Sequence, residues 1–211
     1  MTRIGYYSAA RTDLIDLIRG DELNVLEVGC AEGATGVLLL ERRIARRVTG
    51  IEMHEPSARL AEARLNEVFA GDVVDFLPNL HGRDYDCVIL GDILEHLVDP
   101  WSVLREIRFT VSREARLVVS IPNVRYYPVV CSLLLRADWR YAPDGVLDET
   151  HLRFFTLKSA IRMFSQCGLV VEEIRPYFTG RRYKHLDRAS AGLLSGFLAQ
   201  RFLLRLAYGS G

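Results

Sequence analysis

The feature that most constrains the fold of this chain is an alternation of short apolar runs with amphipathic segments along its first two thirds. Such alternation is typical of strands that are connected by crossover helices over a largely parallel sheet. The runs "CVIL" and "RLVVSI" are continuously hydrophobic, which predicts strands covered on both faces. We therefore predict an α/β fold, with strands at 24–28, 48–52, 67–70, 85–90, 115–121 and 169–175.

Three amphipathic segments carry helix signals. In "EPSARLAEARL" and "DPWSVLREI", Pro56 and Pro100 stand in the first turn, where the missing N–H of proline costs nothing. We expect Asp99 and Thr156 to be N-caps and Gly168 to end the helix of "TLKSAIRMFSQCG". The last apolar segment, "RFLLRLAY", is too short for periodicity to assign, and we interpret it as a strand. One face of that strand would consist of Phe202, Leu204, Leu206 and Tyr208.

Composition argues against several kinds of partner. No Pro/Ser-rich linker divides the 211 residues, so we expect one domain over 1–211. The 27 Lys and Arg residues balance the 27 Asp and Glu residues, which gives no reason to expect nucleic acid or an anionic membrane as a partner. No segment approaches the ~20 apolar residues that span a bilayer, and the cysteines form no CxxC pair. We expect a soluble, cytoplasmic protein without zinc.

The stretch "LEVGCAEGATG", residues 26–36, places three glycines in eight positions directly after an apolar run. Because glycine loses much conformational freedom on folding, such a cluster usually marks a sharp turn or a close approach of the backbone to a ligand. We expect a strand to end at Val28 and a helix to begin near Ala34, with free N–H groups that suit a nucleotide-like ligand. The dinucleotide pattern G-x-G-x-x-G is met only at Gly29, which argues against a nicotinamide cofactor.

Glu27 stands two residues before Gly29, and Gly33 follows four residues later. This pattern resembles the first motif of class I S-adenosylmethionine-dependent methyltransferases, which have a Rossmann-like fold. The resemblance continues in order with "GIEMHEPSA", "GDVVDF" and "DCVILGDILEHLVDP", so that it covers residues 24–100. It implies a doubly wound, seven-stranded mixed sheet with an antiparallel last strand, helices on both faces, and S-adenosyl-L-methionine as the cofactor.

Individual residues take on expected roles within that resemblance. Glu52 would end the second strand, and its two carboxylate oxygens suit two ribose hydroxyls. Met53 would lie against the adenine ring, Asp72 would receive the adenine amino group, and Glu27 would organise the loop or contact the methionine ammonium. For each acid the alternative is an ordinary surface or capping carboxylate. The expected cofactor residues are Glu27, Gly29, Cys30, Ala31, Gly33, Glu52, Met53, Asp72, Val73 and Gly91.

The segment before the sixth strand is long and rich in aromatic residues. We expect a lid or substrate insertion at about 124–155, because loops at the carboxyl edge of a doubly wound sheet build substrate pockets. Within it, "DGVLDETHLRFFT" resembles a methyltransferase subgroup associated with saccharide and glycan pathways, which implies a small polar or sugar-containing acceptor. The residues that would stack on a sugar, or else form a hydrophobic lid, are Tyr126, Tyr127, Trp139 and Tyr141.

Methyl transfer from a sulfonium is an in-line displacement, and an alcohol acceptor benefits from a base with a pKa near neutral. His151 is the first candidate base, oriented by Asp148 or Glu149, and His96 is the second. The alternatives are that His151 is buried and ties down the lid through a backbone carbonyl, and that His96 packs near the cofactor. Because adjacent residues rarely all point at one ion, we do not expect residues 148, 149 and 151 to bind Mg²⁺, and we predict no metal site.

These features predict an S-adenosylmethionine-dependent O-methyltransferase. The alternatives are N-methylation of an amino sugar and a catalytically silent relative that binds the cofactor, whereas the missing glycines disfavour an oxidoreductase.

Near the start, "GYYSAARTDLIDLI" is typical of a helix that begins with Tyr6 and Tyr7. Arg11 would be an exposed residue of that helix or a partner of the methionine carboxylate. Residues 193–202 would form the contact of a homodimer.

Overall fold

Seven strands form one sheet in the part of the chain that the structure, a computed structural model, describes, residues 9–209. Every strand that the apolar runs predict is present, and most extend by a few residues beyond the run. In chain order the strands are β1 (Leu23–Val28), β2 (Ala45–Glu52), β3 (Glu67–Ala70), β4 (Tyr85–Gly91), β5 (Val111–Pro122), β6 (Leu169–Tyr177) and β7 (Arg201–Tyr208).

The order of the strands across the sheet is β3-β2-β1-β4-β5-β7-β6. The first five strands pair in parallel, and the chain builds outward from β1 in one direction and from β4 in the other. β7 lies between β5 and β6 and is antiparallel to both. The predicted doubly wound, mixed sheet is therefore confirmed. In such sheets a ligand crevice lies at the carboxyl ends of the strands where the order reverses, which here is between β1 and β4.

Helices cover both faces of this sheet, as predicted. In β4, Val88 and Leu90 belong to one buried cluster, whereas Cys87 and Ile89 belong to a second cluster on the opposite face. Among the described helices, none is long and apolar enough to cross a membrane. The helices are α1 (Thr12–Ile15), α2 (Ala34–Glu41), α3 (Glu55–Glu62), α4 (Val73–Phe76), α5 (Pro100–Ile107), α6 (Tyr127–Arg136), α7 (Leu157–Gln166), α8 (Arg181–Ala189) and α9 (Ser195–Leu198).

The sequence signals at the helix ends and in the last strand are confirmed. Asp99 caps α5 by accepting a hydrogen bond from the Ser102 N–H at 3.1 Å. Thr156 and Ser159 form a reciprocal capping box at the start of α7. β7 buries opposite faces in the two clusters, with Phe202, Leu204 and Leu206 in the first and Leu203 in the second.

The first helix is shorter than predicted. α1 spans only Thr12–Ile15, and Ala9 and Ala10 precede it without helical structure. Arg11 has φ −82° and ψ 68°, outside the helical region, and its side chain forms the ion pairs described below. The prediction of a helix start at Tyr6 and Tyr7 lies outside the described residues.

The insertion between β5 and α7 docks against the turn that follows β4. It contains α6, none of whose residues is buried, and a backbone bridge between Ala142 and Asp148. Near its end, the N–H groups of Leu152 and Arg153 both donate to the carbonyl of Glu95, at 2.8 and 2.9 Å. These bonds hold the end of the insertion against the segment after β4.

The aromatic residues of the insertion contact other aromatic rings. Trp139 packs edge-on against Phe154 with ring centroids 5.2 Å apart, and Tyr141 lies 6.3 Å from the same ring. Tyr126 and Tyr127 pack edge-on with centroids 5.2 Å apart. This packing favours the hydrophobic-lid alternative over a stacking surface for a sugar.

Candidate active site at the carboxyl edge of the sheet

The glycine-rich turn after β1 forms one wall of the candidate site. Gly29 and Gly33 have φ of 72° and 79°, in the left-handed region that favours glycine. A Cβ atom at Gly29 would overlap the Cδ1 atom of Ile93, so a larger residue there would displace that side chain and strain the backbone. Gly33 is the N-cap of α2, which confirms the predicted turn and helix start.

Glu52, at the end of β2, is directed toward this turn. Its Oε2 accepts a hydrogen bond from the Ala31 N–H at 2.8 Å, and its Oε1 accepts one from the His54 N–H at 2.7 Å. Each carboxylate oxygen has a further acceptor position, so the side chain can still receive hydroxyl groups of a ligand. Met53, the next residue, is 67% exposed.

A cavity of about 250 Å³, which we name cavity A, lies between the glycine-rich turn and the start of α1. It is at the carboxyl ends of β1 and β4, where the strand order predicts a ligand crevice. The predicted cofactor residues that line it are Glu27, Gly29, Cys30, Ala31 and Gly91. Glu52 contacts the edge of cavity A through its hydrogen bond with Ala31. The other predicted cofactor residues lie outside the lining of cavity A: Gly33, Met53, Asp72 and Val73.

Asp72 and Val73 follow β3, one strand further out along the same edge. The Gly71 N–H donates to the Glu52 carbonyl at 2.8 Å, which keeps this segment beside β2. Asp72 is the N-cap of α4, where its Oδ1 accepts from the Val74 N–H at 3.0 Å, and Val73 is buried in the core. The capping role is therefore present, and contact of Asp72 with an adenine amino group stays a prediction.

Glu27 is buried in the wall of cavity A, with 4% of its surface exposed. Its Oε2 atom has no hydrogen-bond partner among residues 9–209. Burial raises the pKa of this carboxyl group to about 8. Because a buried carboxylate is stable only when it is paired, this atom suits a cationic group of a ligand.

We expect Glu27→Gln to stabilise the ligand-free protein, and to do so increasingly as the pH rises. The carboxyl group ionises near pH 4.5 in the unfolded chain and near pH 8 in the folded protein. Unfolding therefore releases a proton between these values, so wild-type stability falls across that window, whereas glutamine does not titrate. The gain should be up to a few kcal/mol at pH 8 and absent below pH 4.5.

Thermal melts of the wild type and of Glu27→Gln across this pH window measure the effect. Glu41→Gln is the matched control, because Glu41 is exposed at the end of α2. If the difference between wild type and Glu27→Gln does not change with pH, the buried carboxyl group does not titrate as stated.

Asp92, directly after β4, is the centre of an ion-pair network at the edge of cavity A. Its Oδ2 accepts from Arg11 Nη1 at 2.6 Å and lies 3.7 Å from Arg201 Nη1, while its Oδ1 accepts from Ser120 Oγ at 2.6 Å. The Arg11 side chain is only 25% exposed. The expectation of an exposed helix arginine is therefore wrong, because ion pairs with Asp92 and Asp13 hold this side chain against the sheet.

A second cavity of about 100 Å³, cavity B, adjoins the first. Asp92 and Arg201 line both cavities. Both candidate catalytic histidines, His96 and His151, line cavity B. The fold thus brings together the turn after β4 and the end of the insertion, which are far apart in the sequence.

His151 is 8% exposed, and its Nδ1 donates to the Val146 carbonyl at 3.1 Å. A neutral ring in this tautomer carries its lone pair on Nε2, which lies 4.0 Å from Glu95 Oε1. Burial lowers the pKa of His151, which favours the neutral form. His96 Nδ1 lies 3.3 Å from the Thr150 carbonyl, and the centroids of the two imidazole rings are 4.8 Å apart.

The group that orients His151 differs from the predicted one. Asp148 Oδ1 accepts hydrogen bonds from the N–H and the hydroxyl of Thr150, at 2.9 and 2.7 Å, and Glu149 is exposed. The Val146 carbonyl orients the ring instead, because the turn at the end of the insertion places it against Nδ1. This contact is the lid-anchoring bond named as the alternative, and it leaves Nε2 available for chemistry.

Glu95 is a site residue that sequence reasoning does not indicate, as are Asp92 and Arg201. Glu95 is 1% exposed, and both of its carboxyl oxygens lack a hydrogen-bond partner among the described residues. Burial, followed by the negative charge of Asp92, raises the pKa of Glu95 well above its usual value. The one available signal is an acid directly before His96 in a segment at the carboxyl edge of the sheet.

Comparison with known proteins supports the methyltransferase resemblance. A family profile described as "Methyltransferase domain" matches residues 3–174. A ubiquinone biosynthesis O-methyltransferase from Aeromonas salmonicida is 31% identical over 163 residues, which cover 71% of this chain and 64% of the relative. One from Pseudomonas aeruginosa is 33% identical over 161 residues, which cover 71% of this chain and 66% of the relative. The chain spans just under two thirds of the length of these relatives.

A solved methyltransferase structure has a similar fold. The crystal structure of a SAM-dependent methyltransferase from Archaeoglobus fulgidus superposes with a TM-score of 0.65 and covers 92% of this chain and 91% of that one, at 16% sequence identity. At this identity the likeness establishes the fold alone, and the family rests on the profile, which matches well over half of the chain. The chain belongs to the methyltransferase domain family.

Proposed function

We propose that the chain transfers the methyl group of S-adenosyl-L-methionine to a hydroxyl oxygen of a small acceptor. The observation that carries this proposal is that cavities A and B adjoin and share Asp92 and Arg201. Cavity A has the glycine-rich turn and the Glu52 edge that suit a nucleoside, and cavity B has the histidines. A methyl group that passes in line between two bound molecules requires such neighbouring cavities.

The side chains around cavity A fit that cofactor. Glu52 offers two oxygens to ribose hydroxyls, and the exposed Met53 offers an apolar surface to adenine. The unpartnered Oε2 of Glu27 suits the methionine ammonium, and Arg11 suits the carboxylate. A Cβ at Gly91 would lie 2.9 Å from Leu14 Cδ1 and 3.3 Å from Arg11 Nη1, so a larger residue there would crowd two side chains that line the cavity. We assign the remaining contacts, made by backbone or at the rim, to Gly29, Cys30, Ala31, Gly33, Asp72 and Val73.

His151 is proposed to activate the acceptor hydroxyl. The lone pair on its Nε2 atom accepts the hydroxyl proton. As the acceptor oxygen forms a bond to the methyl carbon, the proton passes to Nε2 and the electrons of the carbon–sulfur bond remain with sulfur. His96, whose ring lies beside that of His151, forms the adjoining wall that contacts the acceptor.

The acceptor is proposed to be a small hydroxylated molecule. The relatives named as ubiquinone biosynthesis O-methyltransferases support oxygen as the methyl-accepting atom. A sugar has no comparable support, because the relatives do not point to one and the aromatic rings of the insertion pack on one another. N-methylation of an amino sugar, and cofactor binding without transfer, are outcomes that the assay must separate from O-methylation.

We expect S-adenosylhomocysteine to raise the melting temperature of the protein and NADH to leave it unchanged. A ligand at a hundred times its Kd stabilises the folded state by about 2.7 kcal/mol, which corresponds to a shift of about 5–10 °C for a chain of this size. Differential scanning fluorimetry with each ligand measures the shift. Stabilisation by NADH alone would contradict the cofactor assignment.

Transfer itself is measured with S-adenosylmethionine labelled in its methyl group. Hydroxylated aromatic compounds, saccharides and amino sugars are offered in parallel, and label is expected in a hydroxylated compound. Label in amines alone would contradict O-methylation. Tight binding of S-adenosylhomocysteine without transfer to any acceptor class would favour a silent relative.

A further inference from the structure

Glu95, His96 and His151 form a cluster of metal-binding side chains in cavity B. One potential ligand atom from each residue lies within 4.8 Å of the other two. The cluster differs from the set of residues 148, 149 and 151 considered in the sequence, because two of its members come from the turn after β4. Residues from two separate segments can surround an ion in a way that adjacent residues cannot.

The carboxyl group of Glu95 lacks the partners that a buried acid requires. The residue is 1% exposed, and neither oxygen has a hydrogen-bond partner among the described residues. Nε2 of His151 lies 4.0 Å from Oε1, which is beyond hydrogen-bond distance. Buried carboxylates in folded proteins are paired with donors or coordinate a metal. The unsatisfied oxygens therefore point to a bound cation.

The histidines are held in an arrangement typical of metal ligands. The Nδ1 atom of His151 donates to the Val146 carbonyl, which leaves Nε2 as the lone-pair nitrogen. The Nδ1 atom of His96 lies 3.3 Å from the carbonyl and 3.2 Å from the hydroxyl of Thr150. Metal-ligating histidines usually bond a carbonyl or carboxylate through the second ring nitrogen, and that bond fixes tautomer and orientation.

The backbone holds the three residues together without an ion. The N–H groups of Leu152 and Arg153 donate to the carbonyl of Glu95 at 2.8 and 2.9 Å, which joins the segment of His151 to that of Glu95 and His96. Binding of an ion therefore costs little conformational entropy of the chain. Only small side-chain movements are needed to bring the ligands closer.

The charge of cavity B also favours a cation. Its described lining contains the acids Asp92, Glu95, Asp144 and Asp148. Two arginines stand against these four acids: Arg11, which pairs with Asp92 at 2.6 Å, and Arg201, which lines the cavity and also lies 3.1 Å from the carboxylate of Asp13. A small cavity with this balance attracts positive charge.

We propose that cavity B binds a divalent first-row transition-metal ion through a carboxylate oxygen of Glu95, Nε2 of His151 and a ring nitrogen of His96. Two imidazoles and one carboxylate are a set that suits zinc, iron or manganese better than magnesium, which prefers oxygen ligands. Three protein ligands leave a coordination position open, as at catalytic metal sites.

The open position would hold the oxygen of the acceptor. A divalent ion lowers the pKa of a bound hydroxyl, so the proton leaves to water and the oxygen then attacks the methyl carbon as the carbon–sulfur bond breaks. In the ion-loaded enzyme His151 is a ligand, and the ion takes over the activation assigned to its Nε2 above. This catalytic role rests on the proposed O-methylation, whereas the binding of the ion does not.

The test is a titration of untagged, chelator-treated protein with Zn²⁺, Mn²⁺ and Mg²⁺ by calorimetry, with loss of the free Mn²⁺ EPR signal as a second readout. We expect one Zn²⁺ or Mn²⁺ per chain and at least tenfold weaker Mg²⁺ binding. Glu95→Gln should weaken Zn²⁺ and Mn²⁺ binding at least tenfold and Glu95→Asp should weaken it less, because Asp keeps the carboxylate. His185→Gln, an exposed change on α8, should leave binding unaltered.

Melting curves keep the test independent of folding defects and of activity. Without metal, Glu95→Gln should melt no lower than the wild type, since it removes a buried unpaired carboxyl group. With Zn²⁺ or Mn²⁺, the wild type should gain stability and Glu95→Gln should not. Absence of binding by the wild type, or equal binding by the wild type and Glu95→Gln, would overturn the proposed site.

The metal site and the proposed O-methylation can be tested separately on the same protein sample. Binding of S-adenosylhomocysteine is measured with and without metal. If the protein binds the ion but transfers no methyl group to any acceptor, the metal site stands and the O-methylation fails. If it transfers methyl groups at an unchanged rate after removal of the ion, the metal has no catalytic role and the neutral Nε2 of His151 is the activating group.

Discussion

Replacing His151 by Gln should lower kcat by about 10²–10⁴-fold while leaving the affinity for S-adenosylhomocysteine unchanged. In the proposed mechanism, Nε2 of His151 activates the acceptor, either by taking its proton or by holding the ion that acidifies it; the structure leaves this nitrogen as the lone-pair atom of the ring and places it in the Glu95–His96–His151 cluster. The residue lies in cavity B and does not line cavity A.

Single-turnover rates and calorimetric binding of S-adenosylhomocysteine measure the two quantities separately. His185→Gln is the matched control, because this histidine is exposed on α8. A kcat close to that of the wild type would show that His151 is no catalytic residue. A loss of folding, seen by circular dichroism, would instead favour a role restricted to anchoring the insertion.

Replacing Glu52 by Ala should weaken the binding of S-adenosylhomocysteine by about 10–100-fold, because hydrogen bonds to a charged acceptor contribute about 1.5–3 kcal/mol. The substitution removes the proposed acceptor of the ribose hydroxyls. It also leaves the N–H groups of Ala31 and His54 without the carboxylate that now accepts from them, which loosens the glycine-rich turn. Both effects act on the bound cofactor and neither acts on cavity B.

Glu52→Gln separates the two effects. Its side-chain carbonyl can replace one carboxylate oxygen at the Ala31 N–H, whereas the charge is lost, so we expect an affinity between those of the wild type and Glu52→Ala. Glu55→Gln serves as the control, because Glu55 is an exposed neighbour that pairs with Arg59 on α3. If Glu52→Ala binds S-adenosylhomocysteine with wild-type affinity, the ribose does not bind at this edge of the sheet.

The sequence predicts the sheet well because each strand is a local apolar run between turn residues. The alternation of Phe202, Leu204 and Leu206 with Leu203 also predicts correctly which residues of β7 share a face. Strand ends are less well predicted. β5 begins at Val111 and not at 115, because Val111 pairs with Tyr85 before an irregularity in the register, and the polar residues at 112–114 interrupt the hydrophobic signal.

The candidate site divides in the same way. The glycine-rich turn and Glu52 are local features, and the sequence places them at the carboxyl edge of the sheet. The ion-pair network joins residues from three distant segments, Arg11, Asp92 and Arg201. No local sequence pattern predicts such a network. Glu95 shows the same limit, since its unpaired carboxyl group becomes evident only when the insertion closes over it.

In the proposed complex, a nucleoside held by the glycine-rich turn and Glu52 presents its sulfur to the cavity that contains His151. A crystal structure of the complex with S-adenosylhomocysteine tests it most directly. We expect the ribose hydroxyls on the Glu52 carboxylate, the methionine ammonium near Glu27, and the sulfur beside Asp92, facing the imidazoles. A complex in which Glu52 is turned away from the ribose, or in which the sulfur faces solvent away from His151, would contradict the account.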